Sequence, residues 1–289
     1  MTSALAARAA AIQPLLTAPR HAADARGTQM PHELRERYGS DLVIPLAAGR
    51  PTIVANFVST LDGVVSYNTP DAAGGGEISG FFEPDRFVMG LLRSLADVVL
   101  IGAGTLRADP DGRWTPAWVH PESAVDVARL RAQLGLPPSP TTAVVSGSGN
   151  IDLAHPGLST QDVPVLVVTS EHGVTRLRSQ DRPSNLELIV AGEERVGASE
   201  LVDILARRGA RVVLCEGGPQ LLGQLLAAGA VDELFLTLAP QIAGRSSDSS
   251  RLALVEGRAF GIDGAPWADL VDLRVSGSHL FTRYRFRRS

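Results

Sequence analysis

Apolar positions along this chain fall into two kinds of run. Residues 53–58, 98–101, 143–145, 165–168, 188–190 and 212–214 are short stretches dominated by Val, Ile, Leu and Ala. Runs apolar throughout are expected of strands covered on both faces. Between several of them the spacing becomes helical. Over 84–97, Phe87, Leu91 and Leu95 repeat at a spacing of four, and Val88 and Leu92 widen the stripe. Residues 124–134, 198–208 (Leu201, Ile204, Leu205) and 219–228 (Leu221, Leu222, Leu225, Leu226) also read as helices. Near the end, 234–238, 269–275 and 279–287 read as strands. In the last, Leu280, Thr282, Tyr284 and Phe286 alternate with Phe281, Arg283, Arg285 and Arg287, which suits an antiparallel or edge strand with one wetter face. The prediction is an α/β protein of three layers, α/β/α. Its mostly parallel central sheet ends in antiparallel C-terminal strands.

Residues 1–50 break this pattern. They carry Ala, Arg, Pro and His and no β-branched run. A short helix within 30–38 is expected, with Pro31 in its first turn. The segment reads as a partly ordered arm or lid, or else a flexible tail, before a single domain over 51–289. Residues 67–76, rich in Gly, Asp and Pro, read as a loop.

Composition narrows the function classes. The chain has 289 residues, a formal net charge of −4 and one cysteine. Lone Cys215 excludes an intrachain disulfide framework and any zinc site built on cysteine pairs. Mild acidity argues against a non-specific nucleic-acid binder. Arg283, Arg285, Arg287 and Arg288 are expected to be a solvated strand face rather than an RNA site. No apolar run approaches a membrane span, and the first ten residues lack a signal-peptide core. A cytoplasmic protein without metal, membrane or nucleic-acid partner is expected. Gly-x-Ser-x-Gly, His-Glu-x-x-His and phosphate-loop motifs are absent from the sequence.

Three segments could carry chemistry. In the first, the apolar run from Val98 enters Gly102-Ala-Gly104-Thr105, where glycines let backbone approach a ligand and free N–H groups can hold phosphate. A plain tight turn is the alternative. In the second, the run from Val212 ends in Cys215-Glu216-Gly217-Gly218-Pro219, and Pro219 can open a helix whose N-terminus favours anions. Glu216 lies at a strand's carboxyl end, where open α/β sheets place ligands. Two such turns favour a phosphate-bearing cofactor. In the third, Asn56 to Gly63, Asp62 is either a proton donor or acceptor or the cap of its turn. Arg93, beside the apolar stripe of its helix, either binds an anionic substrate or is a surface arginine whose stem covers the core.

Together Ser59-Thr-Leu-Asp-Gly63, the stretch from Ala96 to Asp109, Leu214-Cys-Glu-Gly-Gly-Pro219 and Val231-Asp-Glu-Leu-Phe-Leu-Thr-Leu-Ala-Pro240 resemble one family. The chain is similar to the reductase domain of riboflavin biosynthesis, the C-terminal half of a bifunctional pyrimidine deaminase–reductase. That domain has a dihydrofolate-reductase-like fold. The resemblance covers roughly residues 50–287. It implies NADPH as cofactor, with contacts on Val58, Thr105, Asp109 and Ser146 and along 218–224. Gly102, Gly104, Gly217, Gly218, Pro219, Gln220, Leu221 and Leu222 form the cofactor-binding turns on this reading. Substrate contacts would fall on Ser79, Arg93, Arg113 and Glu216. No acidic residue follows Ser146 closely enough in sequence to repel the 2′-phosphate of NADPH.

The deaminase motifs are absent, so a stand-alone reductase is implied. Where the family presents its substrate arginine, this chain reads Pro110-Asp-Gly-Arg-Trp-Thr-Pro116. Arg113 is then the substitute, and the substrate pocket is altered. The implied reaction is hydride transfer to 5-amino-6-(5-phosphoribosylamino)uracil, giving the ribitylamino product. Glu216 or Asp62 would assist proton movement. The alternatives are a pterin- or dihydrofolate-type reductase on the same fold, and a non-catalytic nucleotide-binding protein. The resemblance also implies a homodimer, to which the apolar stretch 231–239 could contribute if it is not a core strand.

Overall fold

The structure is a computed structural model that describes residues 11–18, 24–69 and 73–288. Parts of two sequence readings, the N-terminal arm (1–10 and 19–23) and the loop over 67–76 (70–72), lie outside the described residues.

A ten-stranded sheet forms the middle layer. In chain order its strands are β1 Gln13–Thr17, β2 Thr52–Ser59, β3 Val98–Gly102, β4 Thr141–Ser146, β5 Val165–Thr169, β6 Leu186–Val190, β7 Val212–Cys215, β8 Glu233–Leu238, β9 Ala268–Ser276 and β10 His279–Phe286. They lie side by side as β1-β9-β10-β8-β2-β7-β3-β4-β5-β6. From β8 to β6 every neighbouring pair is parallel. The pairs β8·β10, β10·β9 and β9·β1 are antiparallel. The predicted mostly parallel sheet with antiparallel C-terminal strands is therefore present. In chain order the helices are α1 His32–Tyr38, α2 Gly76–Ser79, α3 Glu83–Leu95, α4 Ala103–Ala108, α5 Pro116–Val119, α6 Ala124–Gln133, α7 Glu171–Leu177, α8 Ala198–Arg207 and α9 Pro219–Ala227.

Successive strand residues point to opposite faces, which separates two cores. Val54, Val99, Ile101, Val144, Val165, Val167, Val212 and Leu214 pack with Phe87, Leu91 and Leu95 of α3 and Leu130 of α6. Ile53, Ala55, Val98, Leu100, Leu166, Val168 and Val213 pack with Leu201 and Leu205 of α8 and Leu222 and Leu225 of α9. This double burial is why the strands read as continuous apolar runs.

β7 comes late in the chain but inserts between β2 and β3. Val212 stands against Thr52 and Val213 against Val98, so Cys215 ends level with Ala55 and Leu100. Glycines and polar residues that follow β2, β3, β4 and β7 therefore gather along one edge of the sheet.

Three expectations are corrected. The strand over 279–287 is antiparallel, as expected, but it is not an edge, and its arginine side is wet only toward the end, at Arg285 and Arg287. It lies between β8 and β9, and Arg283 is buried against Glu233. Arg285, Arg287 and Arg288 are exposed, as a solvated face requires, and each has a carboxylate beside it: Glu233, Asp269 and Asp232. Residues 231–239 are an interior strand with Val231, Leu234, Phe235 and Ala239 buried, so this stretch is core rather than a contact surface. Finally, Gly102-Ala-Gly-Thr105 is not a bare turn: β3 runs straight into α4.

Within residues 1–50, Gln13–Thr17 pairs along β9 as an edge strand. Leu34, Tyr38, Leu42 and Ile44 are buried in the α3-side core. Arg274 secures this segment: its guanidinium lies against Asp272 at 2.5 Å, donates to Ser40 Oγ at 2.8 Å and to the Tyr38 carbonyl, and stacks on the Tyr38 ring.

Candidate active site

A cavity of about 1640 Å³ opens at the carboxyl ends of β2, β3, β4 and β7. Pockets for one small ligand run to roughly 1000 Å³, so this one has room for two molecules side by side. Val58, Ser79, Arg93, Gly102, Gly104, Thr105, Asp109, Arg113, Ser146, Glu216, Gly218, Pro219, Gln220 and Leu221 all line it.

The two glycine turns are joined to each other. The Gly218 N–H donates to Thr105 Oγ1 at 2.7 Å. A Cβ on Gly217 would stand 2.3 Å from the Gly102 nitrogen and from Ile101 Cα. Gly217 is therefore a glycine because two backbones touch, and it does not line the cavity. At Gly102 and Gly104 a Cβ would meet nothing within 4 Å, so the cavity side of that turn is open. These open turns, Thr105, Ser146 and the α9 N-terminus suit the phosphates of a dinucleotide.

At the other end lies an ion pair. The Arg93 Nη2 atom stands 2.7 Å from Glu216 Oε2, and Nε is 3.0 Å from Oε1. Both side chains are only 6% exposed. Arg93 Nη1 donates to the carbonyls of Arg113 and Thr115 at 3.1 and 3.2 Å. Arg93 and Glu216, selected separately from the sequence, are thus partners, and little of the guanidinium remains for an anionic substrate. Among the described residues Arg113 has no carboxylate partner, and it lies over the Trp118 ring at 4.5 Å. Arg86 also faces the cavity, its Nε held by the Val119 carbonyl at 3.0 Å.

Besides Gly217, two expected residues do not reach the cavity. Leu222 is buried in the α8–α9 core. Asp62 is a clamp: its Oδ1 accepts from the Thr60 hydroxyl at 2.6 Å and from the Ala243 N–H at 3.0 Å, and its Oδ2 from the Gly244 N–H at 2.6 Å. Those hydrogen bonds, Thr60's first, hold its pKa down at about 2, so it is no proton donor near neutrality.

Sequence reading missed Asp85. It sits in the first turn of α3, 7% exposed, and lines the cavity. Burial, opposed by hydrogen bonds from Thr237 and Ser79 and reinforced by Glu216, pushes its carboxyl up to about 6. The signal was available, because positions 85, 89 and 93 share one helix face and Met89 and Arg93 line the same wall. Reading also missed Arg195 and Arg258. Both are exposed in a side cavity of about 630 Å³ with Ser148 and His172, and neither is in an ion pair among the described residues. The fold brings Glu194 and Glu256 there too, which corrects the expectation of no nearby acid. Glu256 is engaged with the Ala253 N–H at 2.7 Å and with Arg245. Among the described residues, no group of three or more His, Cys, Asp or Glu could hold a metal ion. No helix among them is long and apolar enough to cross a membrane.

Residues 51–257 match the model of the RibD C-terminal domain. The chain belongs to the RibD C-terminal domain family. Members of known name are similar to it over most of its length. One is the 2,5-diamino-6-ribosylamino-4(3H)-pyrimidinone 5′-phosphate reductase of Methanothermobacter thermautotrophicus, 30% identical over 80% of this chain and 93% of its own. Its namesake from Archaeoglobus fulgidus is 28% identical over 68% and 84%. In structure the RibD-domain fold is shared with a pyrimidine reductase-like protein of Corynebacterium diphtheriae, with TM-score 0.64, 24% identity and coverage of 83% and 93%. The matched segment, 51–257, contains the cavity-lining glycine turns, Arg93, Ser146 and Glu216 but stops short of β9, β10 and Arg258.

Proposed function

We propose that the chain is an NADPH-dependent reductase of a 5′-phosphorylated ribosylaminopyrimidine in the riboflavin pathway. The observation that carries this reading is a two-ligand cavity with phosphate-binding turns at one end and a buried carboxylate–arginine site at the other. The names of the relatives supply the substrate class. They favour the diaminopyrimidinone over the uracil form that the sequence resemblance implied.

The glycine turns, Thr105, Ser146 and the α9 N-terminus would hold the dinucleotide. When bound, a reduced nicotinamide supplies a hydride. Unpaired Arg195 and Arg258 beside Ser148 favour the 2′-phosphate, and hence NADPH over NADH. Arg113 and Arg86 face the substrate end with no carboxylate of their own, so they would take the substrate phosphate that Arg93 is not free to take. Arg93 and Glu216 would then fix the floor on which the pyrimidine and its ribosyl nitrogen lie.

The test is loss of nicotinamide absorbance with NADPH or NADH, offering the diaminopyrimidinone phosphate, the uracil phosphate and dihydrofolate in parallel. Turnover of a phosphorylated ribosylaminopyrimidine with NADPH, and little with dihydrofolate, is expected. Turnover of dihydrofolate alone would replace this reading.

A further inference from the structure

Asp85 is a buried carboxyl on the cavity wall. Its side chain shares a helix face with Met89 and Arg93 and opens on the same cavity. Buried hydroxyls come to it from two directions, Ser79 of α2 and Thr237 of β8. The charged groups on the surrounding elements are few. Glu216 reaches the site from the β7 turn, and Arg93 and Arg86 stand on its own helix. Arg93 is spent on Glu216 and two carbonyls, and Arg86 is held by Val119. From β10, His279 meets the Ser79 carbonyl and stacks on the Phe82 ring, and burial lowers its pKa, so it brings no positive charge near neutrality. Glu77, Asp109 and Glu200 also line the cavity, from more exposed positions; of the two sealed carboxyls, Asp85 and Glu216, only Glu216 pairs with an arginine among the described residues. Environments that separate paired carboxyls in this way commonly divide acid from charge-holder.

We propose that Asp85 is the general acid of the reduction, passing its proton to the substrate nitrogen as hydride reaches the adjoining carbon. The proposal rests on the reductase reading above and names the proton source it lacks. In the open-chain substrate C1′ is doubly bonded to the amino nitrogen. A hydride from the reduced nicotinamide brings two electrons and forms a C–H bond at C1′. The π pair of the C=N bond moves onto nitrogen, and that nitrogen takes the Asp85 proton. A C–N single bond and a carboxylate remain. Water entering the open cavity returns the proton to Asp85. One reduced nicotinamide and one proton are consumed per product. Burial without a cation is what keeps Asp85 protonated to higher pH than an ordinary aspartate, which matches this task.

The experiment uses the full chain and its Asp85→Asn and Asp85→Glu variants. For each, kcat is followed against pH with saturating NADPH and the phosphorylated ribosylaminopyrimidine, and NADPH binding is measured separately. Wild-type kcat is expected to fall on the alkaline side, above a pKa of about 6 or higher. Asp85→Asn is expected to lower kcat by about 10²- to 10⁴-fold and to lose that limb, with NADPH affinity unchanged. Asp85→Glu is expected to restore part of the rate and the limb. An Asn variant that keeps the wild-type limb, or the wild-type rate, overturns the proposal while leaving the reductase reading intact. Carbon NMR of aspartate-labelled protein gives a readout that needs no substrate: one carboxyl titrating near pH 6, absent in Asp85→Asn. Titration of Asp85 in the ordinary range, about pH 4, would overturn the assignment as well. A wild-type protein that turns over no ribosylaminopyrimidine removes the reductase reading, and the acid role with it.

Discussion

Asp62 and Asp85 show how little a residue type says about its acidity. Both follow β2, within a stretch of 24 positions. Asp62 is solvent-exposed and accepts three hydrogen bonds; Asp85 is sealed between helix and sheet. The first stays charged down to about pH 2, the second holds its proton to about pH 6. For Asp62 the folded-state pKa lies below the unfolded one. Its grip on Ala243 and Gly244 is thus complete above the ordinary aspartate range, and is lost as pH falls toward 2. Asp62→Ala is expected to make residues 240–251 more open to proteolysis while leaving the alkaline limb of kcat in place. Disappearance of that limb in Asp62→Ala would return Asp62 to the chemistry. In the sequence, Arg93 and Glu216 stood out for their places on a helix stripe and at a strand end. Their pairing did not, because it joins segments 123 positions apart. Asp85 stayed hidden for a different reason. An aspartate in a helix's first turn has an ordinary explanation, the helix dipole, and nothing local reveals that β8 covers it.

Among the elements, those with an unambiguous period were legible. The apolar runs became β2 to β8, and the α3, α6, α8 and α9 stripes became helices with ends shifted by a residue or two. What escaped was marked by residues with two meanings. Gly102 and Gly104 punctuate a chain that in fact continues from β3 into α4, and Gly173 with Thr175 disguised α7. Gln13–Thr17 carries proline and only two large apolar residues, and its side chains are all exposed. It is a strand because β9 offers it an edge. Gly217 belongs to this scale as well. Its neighbours at 2.3 Å are backbone atoms at the end of β3, which cannot swing aside. Gly217→Ala is expected to destabilise the protein by about 3 kcal/mol, seen as an earlier urea midpoint, because β7 must be pushed from β3. Gly102→Ala, with open space at its Cβ, is expected to leave the midpoint near wild type and to weaken NADPH binding.

At the scale of the whole molecule, the first fifty residues and the last forty hold one another. Arg274 reaches from β9 to Ser40 and Tyr38, and Arg283 from β10 to the Val43 carbonyl. Truncating Arg274 takes the cation from the buried charge of Asp272, to which the Thr17 hydroxyl also donates. Arg274→Ala is expected to cost about 3–5 kcal/mol in denaturant unfolding, although it lies far from the cavity. A loss below 1 kcal/mol would mean that this anchor is dispensable. The place of β7 has a consequence for how the protein is made. β2 and β3 leave the ribosome long before the strand that separates them. Until residue 215 is synthesised, the edges of both present unpaired backbone groups, the condition under which nascent strands pair wrongly or with other chains. Arrival of β7 closes those edges and carries Glu216 to Arg93 in the same event. A chain truncated before Val212 would be not merely inactive but sticky, and quality control that removes incomplete copies would recognise it by the gap between two strands rather than by any missing catalytic group.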